Sequence, residues 1–230
     1  MAWSFAQGIQ DIAGGTGVTL VMPINLTSGN KLIVGCLHSY LGCSPTIADT
    51  QSNTFTKDVN GVRPNTNSVP YLHLWETQIG SSTGDTITLS YGCGNATLSF
   101  AFEYSGLVTG TAYDVDNNNQ NNTTSLTSGS VTTTAANDLV LSIFKSHISI
   151  TINGGSGTSR YATGVPGILI QDQNQATAGA VNPSATGTTV NATYPTDGWT
   201  VAFKQAGGVV VAIPNRTKII QQAVNRASTY

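Results

Sequence analysis

Few side chains in this sequence are suited to chemistry. Glu76 and Glu103 are its two glutamates. Two carboxyl groups flanking a sugar bond can hydrolyse it, one as acid and the other as base or nucleophile, but nothing in their spacing brings these two together. Gly80-Ser81-Ser82-Thr83-Gly84 has the G-x-S-x-G form. A nucleophile elbow needs a strand before it and a helix after it; here a strand pattern follows, so the segment reads as a hairpin loop. His38, His73, Cys36, Cys43 and Cys93 show no spacing of a zinc site. Asp114-Val115-Asp116-Asn117 opens like a calcium loop, yet Asn119 stands where the turn glycine belongs and Ser125 where the closing glutamate belongs. The stretch from Asp114 to Asn122 reads as a solvated polar loop. Gly154-Gly155-Ser156-Gly157 lacks the lysine and flanking elements of a phosphate loop and reads as a turn. No catalytic residue is assigned, and neither a metal nor a cofactor is expected.

The elements that would position such groups are strands. Only 9% of residues are charged, against ~25% in ordinary globular domains. Thr, Ser, Asn and Gly fill the polar positions, which suits strands and turns rather than the wet faces of long helices. β-rich runs recur between Gly, Asn, Ser and Pro clusters. Strands are expected at Val18–Met22, Lys31–Leu41, Val69–Gln78, Thr86–Tyr91, Leu98–Tyr104, Ser130–Thr134, Leu139–Lys145, Ile148–Ile152, Ile168–Gln171, Thr188–Thr193, Trp199–Lys204 and Val209–Ile213. Tyr71, His73 and Trp75 alternate with Leu72 and Leu74, a pattern of burial on both faces. Leu98, Phe100, Phe102 and Tyr104 make one apolar face. About a dozen short strands argue for an all-β sandwich.

The net charge of −2 leaves no basic footprint for nucleic acid. No apolar run approaches the ~20 residues of a membrane-spanning helix, and no signal peptide is visible. Cys36 reads as a small core residue, while sequence leaves the pairing of Cys43 and Cys93 open. Residues 1–204 carry six basic and eleven acidic side chains; residues 205–230 carry Arg216, Lys218 and Arg226 and no acid. In that last segment Val209-Val210-Val211-Ala212-Ile213 needs a strand partner. Ile219, Ile220, Ala223, Val224 and Ala227 follow at helical spacing, a short helix that needs something to pack on.

Several segments, in order, resemble a family of β-sandwich domains found in phage structural proteins and bacterial surface proteins. They are Asn30-Lys31-Leu32-Ile33-Val34, the run from Ile47 to Thr56, Glu103-Tyr104-Ser105-Gly106, the run from Ser128 to Thr134 with Asn137-Asp138-Leu139-Val140, and the run from Asp197 to Lys204. The resemblance implies a jelly-roll-like antiparallel β-sandwich without catalytic residues. The expectation is therefore a sandwich over residues 1–204 and a docking extension over residues 205–230. It implies a virion structural protein made in the host cytoplasm, a capsid decoration protein or a small tail or fibre subunit. Its partners would be further copies of itself or a capsid or tail protein, with no nucleic acid and no membrane. Val209, Val211, Ile213, Ile219, Ile220 and Val224 are the expected interface residues. The alternative is a carbohydrate- or receptor-binding module, with Trp75 as a glycan contact; a polysaccharide-cleaving enzyme ranks last.

Overall fold

The computed structural model of the protein describes residues 2–12, 17–39, 42–64, 70–92, 96–164, 167–189 and 195–207. They form an all-β structure of antiparallel sheets, with no helix among the described residues. The first eight strands are β1 (Ser4–Asp11), β2 (Gly17–Val21), β3 (Lys31–His38), β4 (Thr46–Asp49), β5 (Thr56–Val62), β6 (Tyr71–Gln78), β7 (Thr86–Ser90) and β8 (Ala96–Ser105). They pair as a five-stranded sheet, β1-β8-β3-β6-β5, and a three-stranded sheet, β2-β7-β4. Ten more follow: β9 (Tyr113–Asn121), β10 (Ser125–Thr127), β11 (Val131–Thr133), β12 (Asp138–Ser146), β13 (Ile152–Gly154), β14 (Thr158–Gly164), β15 (Gly167–Gln175), β16 (Gly179–Val181), β17 (Ser184–Gly187) and β18 (Thr196–Phe203). These pair as β14-β15-β12-β18-β9, β10-β17-β13 and β11-β16.

The two sets have one strand order. If β10 and β11 together stand for β2, and β16 and β17 for β7, the second set repeats the first strand for strand. The split falls where Pro183, which has no N–H to donate, interrupts one strand. A single backbone bond, from Ser128 N–H to the Pro183 carbonyl, spans the gap. The repetition leaves a faint trace in sequence. Phe102-Glu103-Tyr104-Ser105-Gly106 ends β8, and Phe203-Lys204-Gln205-Ala206-Gly207 ends β18. These two ends lie side by side: Ala206 N–H donates to the Gly106 carbonyl at 2.8 Å, and Leu107 bridges to Gln205.

The five-stranded sheets face each other over one core. Ile33, Leu72, Leu74, Phe100 and Phe102 of the first unit meet Leu139, Leu141, Ile143, Ile170, Trp199 and Val201 of the second. The outer face of each large sheet is covered by its own small sheets. Leu32, Val34 and Trp75 pack on Leu20, Ile87 and Leu89. Phe144 and Leu169 pack on Leu126, Ile152 and Ala185, and Val140 and Ala202 on Val131 and Val181. This layering explains why β3, β12 and β18 are buried along their whole length whereas β7 alternates. A strand covered on both faces needs apolar residues at successive positions; one covered on a single face needs them at every second. Two glycines admit the large rings of this core. A Cβ on Gly35 would lie 2.3 Å from the Phe100 ring, and one on Gly8 2.4 Å from Phe102. Each ring fills the space over the glycine opposite it in register.

The region from Asp114 to Asn122 is corrected by this topology. It is an edge strand, β9, paired along its length with β18, not a free loop. The backbone ladder supplies what the side-chain pattern does not advertise.

Candidate functional site

Where the two large sheets meet, their margins carry polar groups that an apolar core would reject unless paired. At one margin β5 approaches β9. Lys31 and Glu76, both buried, form an ion pair at 3.7 Å. The Glu76 Oε1 also accepts Ala112 N–H at 2.6 Å, and the Lys31 ammonium donates to the Gly110 carbonyl. Burial raises the Glu76 carboxyl, with Lys31 opposing. Asp58 sits at a bulge of β5. Burial, and then the Glu76 charge, push it up to about 7.

That shift has a sign that can be measured. Unfolded, Asp58 ionises near 4; folded, it holds its proton to about 7. Below about pH 4 both states are protonated and the site costs nothing. As pH rises from there through 7, ionisation favours the unfolded chain. Asp58→Asn therefore leaves the midpoint of thermal unfolding unchanged at pH 4 and raises it at pH 8. The gain is about 1 kcal/mol, because partial solvent contact screens the full effect. Equal melting shifts at both pH values would show that Asp58 ionises freely.

At the opposite margin β1 approaches β14. The Asp172 carboxylate, 1% exposed, accepts from Arg160 Nε at 2.6 Å and Nη2 at 2.9 Å, and from the Tyr104 hydroxyl at 2.8 Å. The Arg160 guanidinium lies 4.3 Å from the centre of the Phe5 ring. Trp3 stands edge-on to Tyr104, with ring centres 5.9 Å apart. Its indole Nε1 donates to Asn174 Oδ1 at 3.2 Å. Beside it opens a groove of about 510 Å³ lined by Ala2, Trp3, Asn137, Asn174 and Gln205.

The groups singled out in the sequence are placed as follows. Glu76 is in register with Ile33 and turns to the central core, while Glu103 is in register with Leu32, whose side chain packs on the outer small sheet. The two glutamates occupy opposite faces of one sheet and cannot flank one glycosidic bond. Glu103 ties down the chain between β2 and β3: it accepts from Thr27 N–H at 2.9 Å, Asn30 Nδ2 at 2.6 Å and Gln7 Nε2 at 2.6 Å. Ser82 lies in the connection from β6 to β7, its hydroxyl accepting Ser28 N–H. His38 and His73 stack at 4.8 Å; burial, then His38 and Lys57, hold the His73 imidazole down to about 3. Burial pushes the Cys36 thiol up to about 12. Cys43 is disulfide-bonded, and Cys93 lies outside the described residues. Among the described residues no three His, Cys, Asp or Glu side chains are grouped to hold a metal ion.

Trp75 is 3% exposed, with the Lys57 ammonium 5.0 Å from its ring centre. Its ring belongs to the outer core of the first unit, which leaves no face for a sugar and corrects the expectation of a glycan contact there. Val209, Val211, Ile213, Ile219, Ile220 and Val224 lie outside the described residues. No family model, curated protein or solved structure matches the chain. Sequence alone offers Trp3, Trp75 and Trp199 alike as rings that could stack on a sugar, and does not distinguish Trp3 or its groove among them. The groove's five lining residues come from four separate chain segments, and only the alternation of Trp3 and Phe5 signals that the indole lies on the core side of a strand.

The exterior has one further property. Of the charged residues among the described ones, eight are buried, eight half-buried and one, Lys57, exposed. The exposed positions among the described residues are mostly Thr, Ser, Asn and Gly. Val21 and Ile24, 57% and 63% exposed, stand among them near the edge strand β2.

Proposed function

We propose that the protein is a non-enzymatic structural subunit of a virus particle, a capsid decoration protein or a small tail or fibre component, acting through protein–protein contacts. The observation that carries this reading is the inward placement of charge. Lys, Glu and Asp are depleted where proteins meet, because each must be desolvated and immobilised on contact. A surface whose polar groups are short and neutral avoids most of that cost over its whole extent. The strand orders support a jelly-roll reading of each unit. In both, the first strand pairs with the eighth, the eighth with the third and the third with the sixth, and the second pairs with the seventh and the seventh with the fourth. A jelly-roll sandwich of this kind is shared by viral capsid and lectin domains.

In this reading residues 205–230 are the clasp. Val209, Val211 and Ile213 add a strand to a neighbour's sheet edge, and Ile219, Ile220 and Val224 dock as a helical face. The neighbour is another copy, or a capsid or tail protein. Removal of residues 207–230 tests this assignment. The shortened chain is expected to keep the melting temperature and the circular dichroism of the sandwich and to lose self-association. Undiminished association of the shortened chain would overturn the clasp.

A further inference from the structure

We infer that the groove beside Trp3 is a binding subsite for a neutral pyranose sugar. Its position is the first reason. Trp3 precedes β1 of the first unit, whereas Asn137, Asn174 and Gln205 belong to the second. The groove exists only where the units dock, and its volume of about 510 Å³ falls in the range of small-molecule sites.

Its chemistry is the second reason. The indole is fixed from two sides: its N–H is held by Asn174 and its flank by the Tyr104 ring. Tyr104 is anchored in turn by Asp172. A fixed, half-exposed indole offers an apolar face with a polar edge, which matches the C–H face of a pyranose. The rim supplies amides. Asn174 Oδ1 accepts from Trp3, leaving Nδ2 as a donor. Asn137 sits exposed in the left-handed backbone region at φ 62°, and its amide bonds to none of the described residues. A carboxamide presents donor and acceptor side by side and so pairs with two neighbouring hydroxyls. No charged side chain lines the groove, so it selects an uncharged ligand.

The subsite stands apart from the assembly role and is tested separately. Trp75 and Trp199 are 3% and 1% exposed, so a ligand-induced change in tryptophan emission reports Trp3. The intact protein is titrated with neutral oligosaccharides built from glucose, galactose, mannose and N-acetylglucosamine. At least one is expected to give a saturable change with a dissociation constant on the order of 1 mM or tighter, in keeping with so small a contact. Trp3→Ala is expected to weaken that binding at least tenfold and Trp3→Phe only about threefold. Asn137→Gly, which removes the amide and takes up the left-handed backbone without strain, is expected to weaken it several-fold at nearly unchanged melting temperature. Absence of binding by every sugar, or binding that survives both Trp3→Ala and Asn137→Gly, overturns the assignment.

Discussion

Trp199→Ala lowers the stability of the whole protein by about 3–5 kcal/mol, the cost of emptying a large aromatic site in a packed core. Trp199 belongs to β18 of the second unit and is 1% exposed. Its indole N–H donates at 3.0 Å to the Val62 carbonyl at the end of β5, in the first unit. The ring fills the shared core, and its polar edge closes a backbone acceptor across the boundary. The variant retains Trp3 and Trp75, both in the first unit. Fluorescence-detected unfolding in guanidinium therefore watches one unit while the lesion lies in the other. The midpoint is expected to fall, and to coincide with that from far-ultraviolet circular dichroism. A fluorescence midpoint that stays in place while a second transition splits off would mean that the units fold independently.

Asp172→Ala has the next largest effect, about 3 kcal/mol. Breaking a buried ion pair from one side costs more than the pair is worth, because the partner is left desolvated and alone. Here two partners are stranded at once, the Arg160 guanidinium and the Tyr104 hydroxyl. The side chain of Arg160 is 21% exposed and recovers some hydration, which keeps the loss toward the lower end of what a fully buried pair would show. Asp172→Asn preserves one acceptor and is expected to lose about half as much. Lys57→Ala, at the exposed cation, is expected to change stability by less than about 0.5 kcal/mol. Denaturant midpoints of the three variants check the order. Equal losses for the Asn and Ala variants would show that charge, not hydrogen bonding, governs this margin.

Strands covered on both faces were legible in the sequence because they string apolar residues together: β3, β6, β12 and β18 are recognisable from Leu, Ile, Val and aromatic runs. The edge strands of the two large sheets were not. β1 carries Gln7, Gly8 and a bulge between Phe5 and Gln7, and β9 is mostly Asp and Asn. Their backbone groups pair with a neighbour whatever their side chains are, so the polar pattern reads as loop. The doubling of the unit was also hidden. Only β8 and β18 keep like residues in like places, while Leu74 in the first unit and Asp172 in the second, on corresponding strands, share no chemistry. Trp75 illustrates the limit of composition: an aromatic in an alternating strand faces either water or core, and the layer that decides which, β2-β7-β4, is assembled from distant segments. The Trp3 groove was unreadable for the same reason, since it is made by the meeting of two units.

The picture that results is a protein that spends its charge inside. Lys31 with Glu76, and Arg160 with Asp172, seal the two margins of the central core, and the described surface that remains is sparsely charged. The most direct test of the proposed role is the molar mass of the intact chain by light scattering at micromolar concentration and physiological salt. The predicted result is a closed oligomer, a discrete multiple of the 23.9 kDa chain, that persists at high salt because its contacts are not ionic. A mass of one chain at every concentration would contradict self-assembly through this surface.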